Sequence, residues 1–211
     1  MTQARDEVMF RLYGRDIWEG FEPLEVENCW GWNGDHSEAL KLPMRVVVDV
    51  GVWLGQSTIV FASALKDRGI NGVVVAVDTF LGSPELWVAF DQTPIGRKHG
   101  MPNLYWHFLS HVAKAGLQDY VVPMPQTSSC AAILLKTGPL PPDLVYLDAA
   151  HDYKSVLRDC EDYFDLLAPG GHLVGDDYLD AFPGVVQAVS GFSEQVQRTY
   201  NVVSPKWVMQ K

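Results

Sequence analysis

Four side chains in the C-terminal half of the 211-residue chain have types and spacing suited to chemistry. Asp148 and His151 stand three positions apart in "LVYLDAAHD", and Asp176 and Asp177 are adjacent in "HLVGDDY". Three carboxylates brought close together repel one another and are pushed toward protonation. A divalent cation relieves that repulsion, and oxygen donors of this number favour Mg²⁺ or a similar ion over zinc. Such an ion would bind a substrate hydroxyl and lower its pKa, while His151 removes the proton. Read singly, each residue has a plainer explanation: Asp176 caps a turn, Asp177 is solvated, and His151 caps the helix beginning near Asp152. The chemical reading therefore depends on the elements that bring the four together.

Both clusters close short apolar runs. "DLVYLDAAH" and "HLVGDDY" read as buried strands, separated by a helix in which Val156, Leu157, Cys160, Phe164 and Leu167 share a face, and by the Pro169-Gly170-Gly171 turn. Upstream, Val46 to Val50 reads as a strand covered on both sides, Gln56 to Arg68 as a helix stopped at Gly69, and "GVVVAVDTF" as a second buried strand. "DYVVPMPQ" supplies a short third strand and Ser128 to Lys136 a helix. After a helix near Val185 to Gln197, "RTYNVVSPKWVMQK" reads as a hairpin around Ser204-Pro205. Strands alternating with helices predict an α/β fold: a Rossmann-like, doubly wound, mainly parallel sheet, with the last hairpin adding an antiparallel strand. Residues 1–44, with Trp18, Trp30, Trp32 and the acidic "EPLEVEN", read as an N-terminal cap or arm on a single core spanning 45–211. That arm either closes over a substrate or forms a contact in a homo-oligomer; core packing of its tryptophans is the plainer alternative.

Composition narrows the partners. Sixteen Lys and Arg against 26 Asp and Glu give a net charge of -10, with no basic run to track phosphates, so nucleic acid and anionic membrane are disfavoured. No stretch approaches the roughly 18 apolar residues of a membrane span, and the opening segment lacks the apolar core of a signal peptide. Cys29, Cys130 and Cys160 have neither disulfide nor zinc spacing, which fits a reducing cytoplasm.

The bend "DVGVWLGQS" lies where such sheets bind ligands, at the carboxyl end of a strand. A dinucleotide fingerprint needs a middle glycine for close approach to a pyrophosphate, and Trp53 stands there instead. A cofactor without phosphates meets no such obstacle, and S-adenosylmethionine is one. Its ammonium and carboxylate suit an acid at the strand end, Asp49, and the N–H groups of the Gly51 to Gly55 turn, which includes Val52. Asp78 closes the second strand, where it would accept ribose hydroxyls, with Thr79 alongside and Phe80 placed to pack on the adenine. His36, in "GWNGDHSE", is a candidate substrate contact; His99, His107, His111 and His172 read as surface or core residues.

Taken together, "VVDVGVWLGQST", "VVAVDTFLGSPELW", "LVYLDAAHDYKSVLRDC" and "LLAPGGHLVGDDY" resemble the class I S-adenosylmethionine-dependent methyltransferases, in the branch of the macrocin O-methyltransferase type (methyltransferase domain family 24). The likeness runs from about residue 30 to "KWVMQK" and is weaker in the N-terminal arm, which is shorter than in that type. The resemblance implies Mg²⁺ on Asp148, Asp176 and Asp177, with Asp148 and His151 catalytic and His151 the base. It implies cofactor contacts at Gly51, Gly55, Ser57 and Asp78, with Gln126, Thr127 and Ser128 near the adenine, and counts Asp148 among the cofactor contacts as well. The expected activity is O-methylation of a small molecule. A catechol-type phenolic methyltransferase and a non-catalytic nucleoside-binding protein remain as alternatives, and a nicotinamide oxidoreductase is disfavoured by Trp53.

Overall fold

Valine-rich runs with no polar face can be satisfied only at the centre of a sheet covered on both sides. The computed structural model, which describes residues 1–26, 34–84, 87, 96–138 and 140–211, places them there. In chain order the elements are α1 (Gln3–Tyr13), α2 (Ser37–Leu40), β1 (Val46–Val50), α3 (Gln56–Asp67), β2 (Val73–Asp78), β3 (Arg97–Lys98), β4 (Met101–Pro102) and α4 (Leu104–Lys114). Then follow β5 (Val121–Pro125), α5 (Ser128–Lys136), β6 (Leu144–Leu147), α6 (Tyr153–Leu166), β7 (His172–Gly175), α7 (Pro183–Val196), β8 (Tyr200–Val203) and β9 (Lys206–Gln210). The main sheet has the order β5-β2-β1-β6-β7-β9-β8. Its first five strands run parallel, and β9 pairs antiparallel with both β7 and β8. This is the doubly wound sheet with an antiparallel terminal hairpin that the sequence predicts. Strand order reverses between β1 and β6, so the crevice at their carboxyl ends is the expected ligand site.

One carboxylate aligns those two strands at their other end. Asp143 Oδ2 accepts the backbone N–H groups of Arg45 (3.0 Å) and Val46 (2.8 Å), while the Asp143 N–H donates to the Val46 carbonyl at 2.9 Å. The register then runs from Val47 opposite Leu144 to Val50 opposite Leu147.

Three helices, α1, the single-turn α2 and α4, are not among the elements read from the sequence. In α1 the weak signal has a physical origin, since its buried positions include Arg5 beside Ala4, Val8 and Met9. The Arg5 guanidinium is satisfied by Asp6, by Asp16 and by the Gln118 carbonyl, so a charged residue occupies what periodicity would leave polar and exposed. In α4 the signal was present as Leu104, Phe108 and Val112, one helical face, all buried. Trp18 donates its indole N–H to the Val121 carbonyl at 3.0 Å and belongs to the same buried cluster as the sheet. Trp30 and Trp32 lie outside the described residues. Among the described residues, no helix is long and apolar enough to cross a membrane.

Helix α5 begins at Thr127, whose hydroxyl accepts the Cys130 N–H at 3.3 Å. Thr127→Ala removes that cap and is expected to destabilise the protein by about 1 kcal/mol, read by urea unfolding.

Candidate active site

At the end of β1, Asp49 is completely buried in an otherwise apolar strand. Its Oδ2 accepts the hydroxyls of Ser57 (2.8 Å) and Thr58 (2.6 Å) from the start of α3, which locks strand to helix. Its Oδ1 is buried with no hydrogen-bond partner among the described residues. Burial pushes the Asp49 carboxyl up to about 7 from its ordinary value near 3.8, against the two hydroxyl bonds, and the charge of Asp78 pushes the same way. An oxygen left bare in the interior at such a cost is a place for a ligand donor.

The bend itself is held by backbone. Gly51 has φ +88°, and a Cβ there would lie 2.0 Å from the Asp148 carbonyl oxygen, so the loop after β6 crosses directly over it. Val52 is buried in the core, and Gly55, which opens α3 with φ +95°, faces the Phe108 ring. Trp53, in the left-handed region at φ 50°, donates its N–H to Asp78 Oδ2 at 2.9 Å, tying the bend to the end of β2. Asp78 also accepts the Phe80 N–H at 2.7 Å through Oδ1, and burial raises its pKa. Thr79 is exposed, whereas the Phe80 ring is buried against Tyr105 and Phe108 at centroid distances of 5.0 and 5.1 Å. Gln126 donates its N–H to the Asp78 carbonyl at 3.0 Å, which brings the exposed Gln126-Thr127 pair and half-buried Ser128 beside that strand end.

On the other side of β1, the ends of β6 and β7 gather the acidic residues. His151 Nε2 stands 2.8 Å from Asp177 Oδ2, and the imidazole stacks on Phe182 with centroids 4.5 Å apart. The hydrogen bond to Asp177 raises the His151 pKa, partly opposed by burial and helped by the charges of Asp177, Asp148 and Asp176. Asp148 is pushed up to about 7 by burial, then by Asp176 and Asp177. One ligand atom each from Asp148, His151 and Asp177 falls within 4.8 Å of the others. Asp148, His151, Asp176 and Asp177 line one depression, with Asp159 and Trp207 also in its wall.

Asp176 is differently placed from its neighbours. Its Oδ2 accepts the Tyr146 hydroxyl at 2.9 Å and the Lys206 ammonium, and its Oδ1 accepts the Asp177 N–H at 2.8 Å. Tyr146 and Lys206 are residues of the site that sequence reasoning missed: the first sits inside an apolar strand and the second in the terminal hairpin. His36 comes close as well, 6% exposed, with its ring 5.3 Å from Tyr146 and 5.7 Å from Phe61. His99 lies on the exposed β3–β4 turn, His111 is buried with Nδ1 2.9 Å from the Leu54 carbonyl, and His107 and His172 are partly buried away from these carboxylates.

Sheet order, switch point and acidic strand ends together define a class I methyltransferase fold, and comparison with known proteins agrees. A methyltransferase-domain family model matches residues 48–178, and the chain belongs to that family. The uncharacterized protein R132 of Acanthamoeba polyphaga mimivirus is 23% identical over 123 residues, covering 57% of this chain and 51% of that protein. The chain thus spans about half the length of that curated relative. Among solved structures, the O-methyltransferase NovP aligns with TM-score 0.60 at 18% identity, over 82% of this chain and 74% of its own. TomG from Streptomyces achromogenes, an O-methyltransferase involved in tomaymycin synthesis and solved with S-adenosylmethionine, aligns with TM-score 0.56 at 18% identity, over 83% and 76%. An O-methyltransferase from Bacillus cereus in complex with S-adenosylhomocysteine aligns with TM-score 0.53 at 19% identity, over 80% and 74%. At these identities the structural likenesses speak for the fold.

Proposed function

We propose that the chain is an S-adenosylmethionine-dependent O-methyltransferase acting on a hydroxyl of a small molecule. One juxtaposition carries the reading: the bare, buried Asp49 Oδ1 on one side of the switch point and the His151–Asp177 pair on the other. Asp49 receives the ammonium of the methyl donor, and Asp78 takes ribose hydroxyls on the lone pairs its two backbone N–H bonds leave open. Gln126, Thr127 and Ser128 flank the base. The donor supplies a methyl group on a sulfonium, which transfer converts to a neutral thioether.

Asp177 holds the imidazole through Nε2, which leaves His151 Nδ1 to take the proton of the acceptor hydroxyl as its oxygen becomes the nucleophile. Phe182 stacks on the imidazole and restricts its orientation, and positioning of this kind supplies much of the rate enhancement in such displacements. Asp148 and Asp177 would hold a divalent cation, with His151 in reach and Asp176 beside them, and the donor chemistry fits: hard carboxylate oxygens, one of them pushed toward protonation by burial and then by its neighbours. When bound, that ion would lower the pKa of an acceptor hydroxyl. The O-methyltransferases among the structural relatives support an oxygen acceptor, and the net charge of -10 supports a small molecule over nucleic acid.

Calorimetry with S-adenosylmethionine should show one site per chain, and heatless titrations would end the proposal. With an acceptor found by screening sugars and catechols, each with and without EDTA, His151→Ala is expected to lower turnover at least about 100-fold while donor affinity stays put.

A further inference from the structure

Antiparallel pairing of β9 on β7 sets Trp207 opposite Gly175, and a Cβ at Gly175 would fall 2.4 Å from the indole. Packed this tightly, the two strands bring Lys206, the residue before Trp207, across from Asp176. The lysine is only 4% exposed, unusual for an ammonium, which is costly to bury unless it is paired and hydrogen-bonded. It is paired here with Asp176 Oδ2, and its Nζ also stands 5.6 Å from the centroid of the Tyr146 ring. The same Asp176 oxygen takes the Tyr146 hydroxyl, and the other takes the Asp177 N–H. Asp176 thus has one oxygen filled twice and the other filled once. From Lys206 a chain of contacts continues through Asp176 and the Asp177 backbone, which has φ 59°, to the Asp177 carboxylate on His151. The neighbouring His36 has its pKa lowered, first by burial.

We propose that Lys206 is a tethered counter-ion of the acidic cluster, a positioning residue that holds Asp176 and withholds it from divalent cations. Part of the charge balance that bound metal would otherwise supply is therefore built into the chain. The idea rests on the cation-site reading given above and concerns what the protein itself contributes to that site. Lys206 acts through Asp176 and is not a catalytic residue.

Manganese titrations of the full chain at pH 7.5, followed by calorimetry, test it. Lys206→Met frees a third carboxylate and is expected to bind Mn²⁺ at least about tenfold tighter than wild type, because one positive charge a few ångströms away has gone. Adding Asp176→Asn to Lys206→Met should return the affinity to the wild-type level, and Lys206→Arg should never leave it. If methionine is not tolerated by circular dichroism, Lys206→Gln provides the same comparison. Equal or weaker binding in the folded neutral variant, undetectable binding in both proteins included, overturns the proposal. A merely structural lysine would lower the melting temperature without raising metal affinity. Titration of wild type with S-adenosylmethionine reports separately on the methyltransferase reading, so the two can fail independently.

Discussion

Asp49→Asn protein should be more stable than wild type at pH 8 and should bind S-adenosylmethionine about 10- to 100-fold more weakly, the loss expected for a charge-assisted hydrogen bond. The stability half follows from linkage. In the fold the carboxyl is pushed up to about 7 by burial, against an ordinary value near 3.8. A raised carboxyl means that the folded state binds the proton more tightly than the unfolded chain does. The stability it contributes is therefore full below about pH 4 and is lost as pH rises toward and through 7. The loss is on the order of 4 kcal/mol at pH 8. Asparagine keeps an oxygen for the Ser57 and Thr58 hydroxyls and carries no charge, so the variant should melt roughly 5 to 15 °C higher at pH 8. The gap should close as pH falls toward 4. Asp78 and Asp148 are raised in the same direction, so only the difference between variant and wild type isolates Asp49. Donor affinity in wild type should climb with pH up to about 7 and then level off; the variant should be flat. A variant less stable than wild type at pH 8, or one with unchanged donor affinity, would show that Asp49 is not held in reserve for a ligand.

Gly51→Ala is expected to cost more than about 4 kcal/mol and to leave most of the expressed protein unfolded or aggregated. Two effects combine at this position. The backbone sits at φ +88°, where a side chain is strained, and the new methyl would enter the Asp148 carbonyl, with the carbonyl carbon and the Ala149 Cα at 2.5 and 2.7 Å. All three obstacles are backbone, so no rotamer change relieves them. Gly14 separates the two effects: it has φ +66° and nothing within 4 Å of a built Cβ, so Gly14→Ala should show strain alone, about 1 kcal/mol. Comparable urea midpoints for the two variants would mean that the loop after β6 moves aside easily.

The glycines of the bend show where sequence reasoning was sound and where it stopped. "DVGVWLG" marks a turn at a strand end, and the turn is there, as are Asp49 and Asp78 at the ends of β1 and β2. What the letters cannot convey is what presses on Gly51, because the Asp148 carbonyl arrives from almost a hundred residues away. The apolar runs of β1, β2 and β6 and the helical face of α6 were legible because burial imposes a local period on them. The nearness of Asp148 to His151 was legible because both lie beyond one strand. Tyr146 and Lys206 were not, since a tyrosine in an apolar run and a lysine in a hairpin carry no local signal; only the pairing of β9 with β7 gives them a role. Arg5 misled in the opposite sense, as a charged residue buried in a helix that periodicity alone would dismiss.

The alignment of β1 and β6 by Asp143 has a consequence for how this chain can change length. Both strands are counted from one origin, so the separation of Asp49 from Asp148 is a matter of residue number and not of adjustment at the ligand end. Deleting or inserting a residue within either strand would shift its tip by roughly 3.3 Å and turn its side chains to the opposite face. Asp49, or Asp148 where the change falls in β6, would then leave its place in the crevice. Insertions after the strand tips or in the crossovers preserve the count. Variation in length among descendants of this sequence should therefore collect beyond Gly51 and Asp148, and the few residues between Arg45 and Gly51 should behave as a ruler.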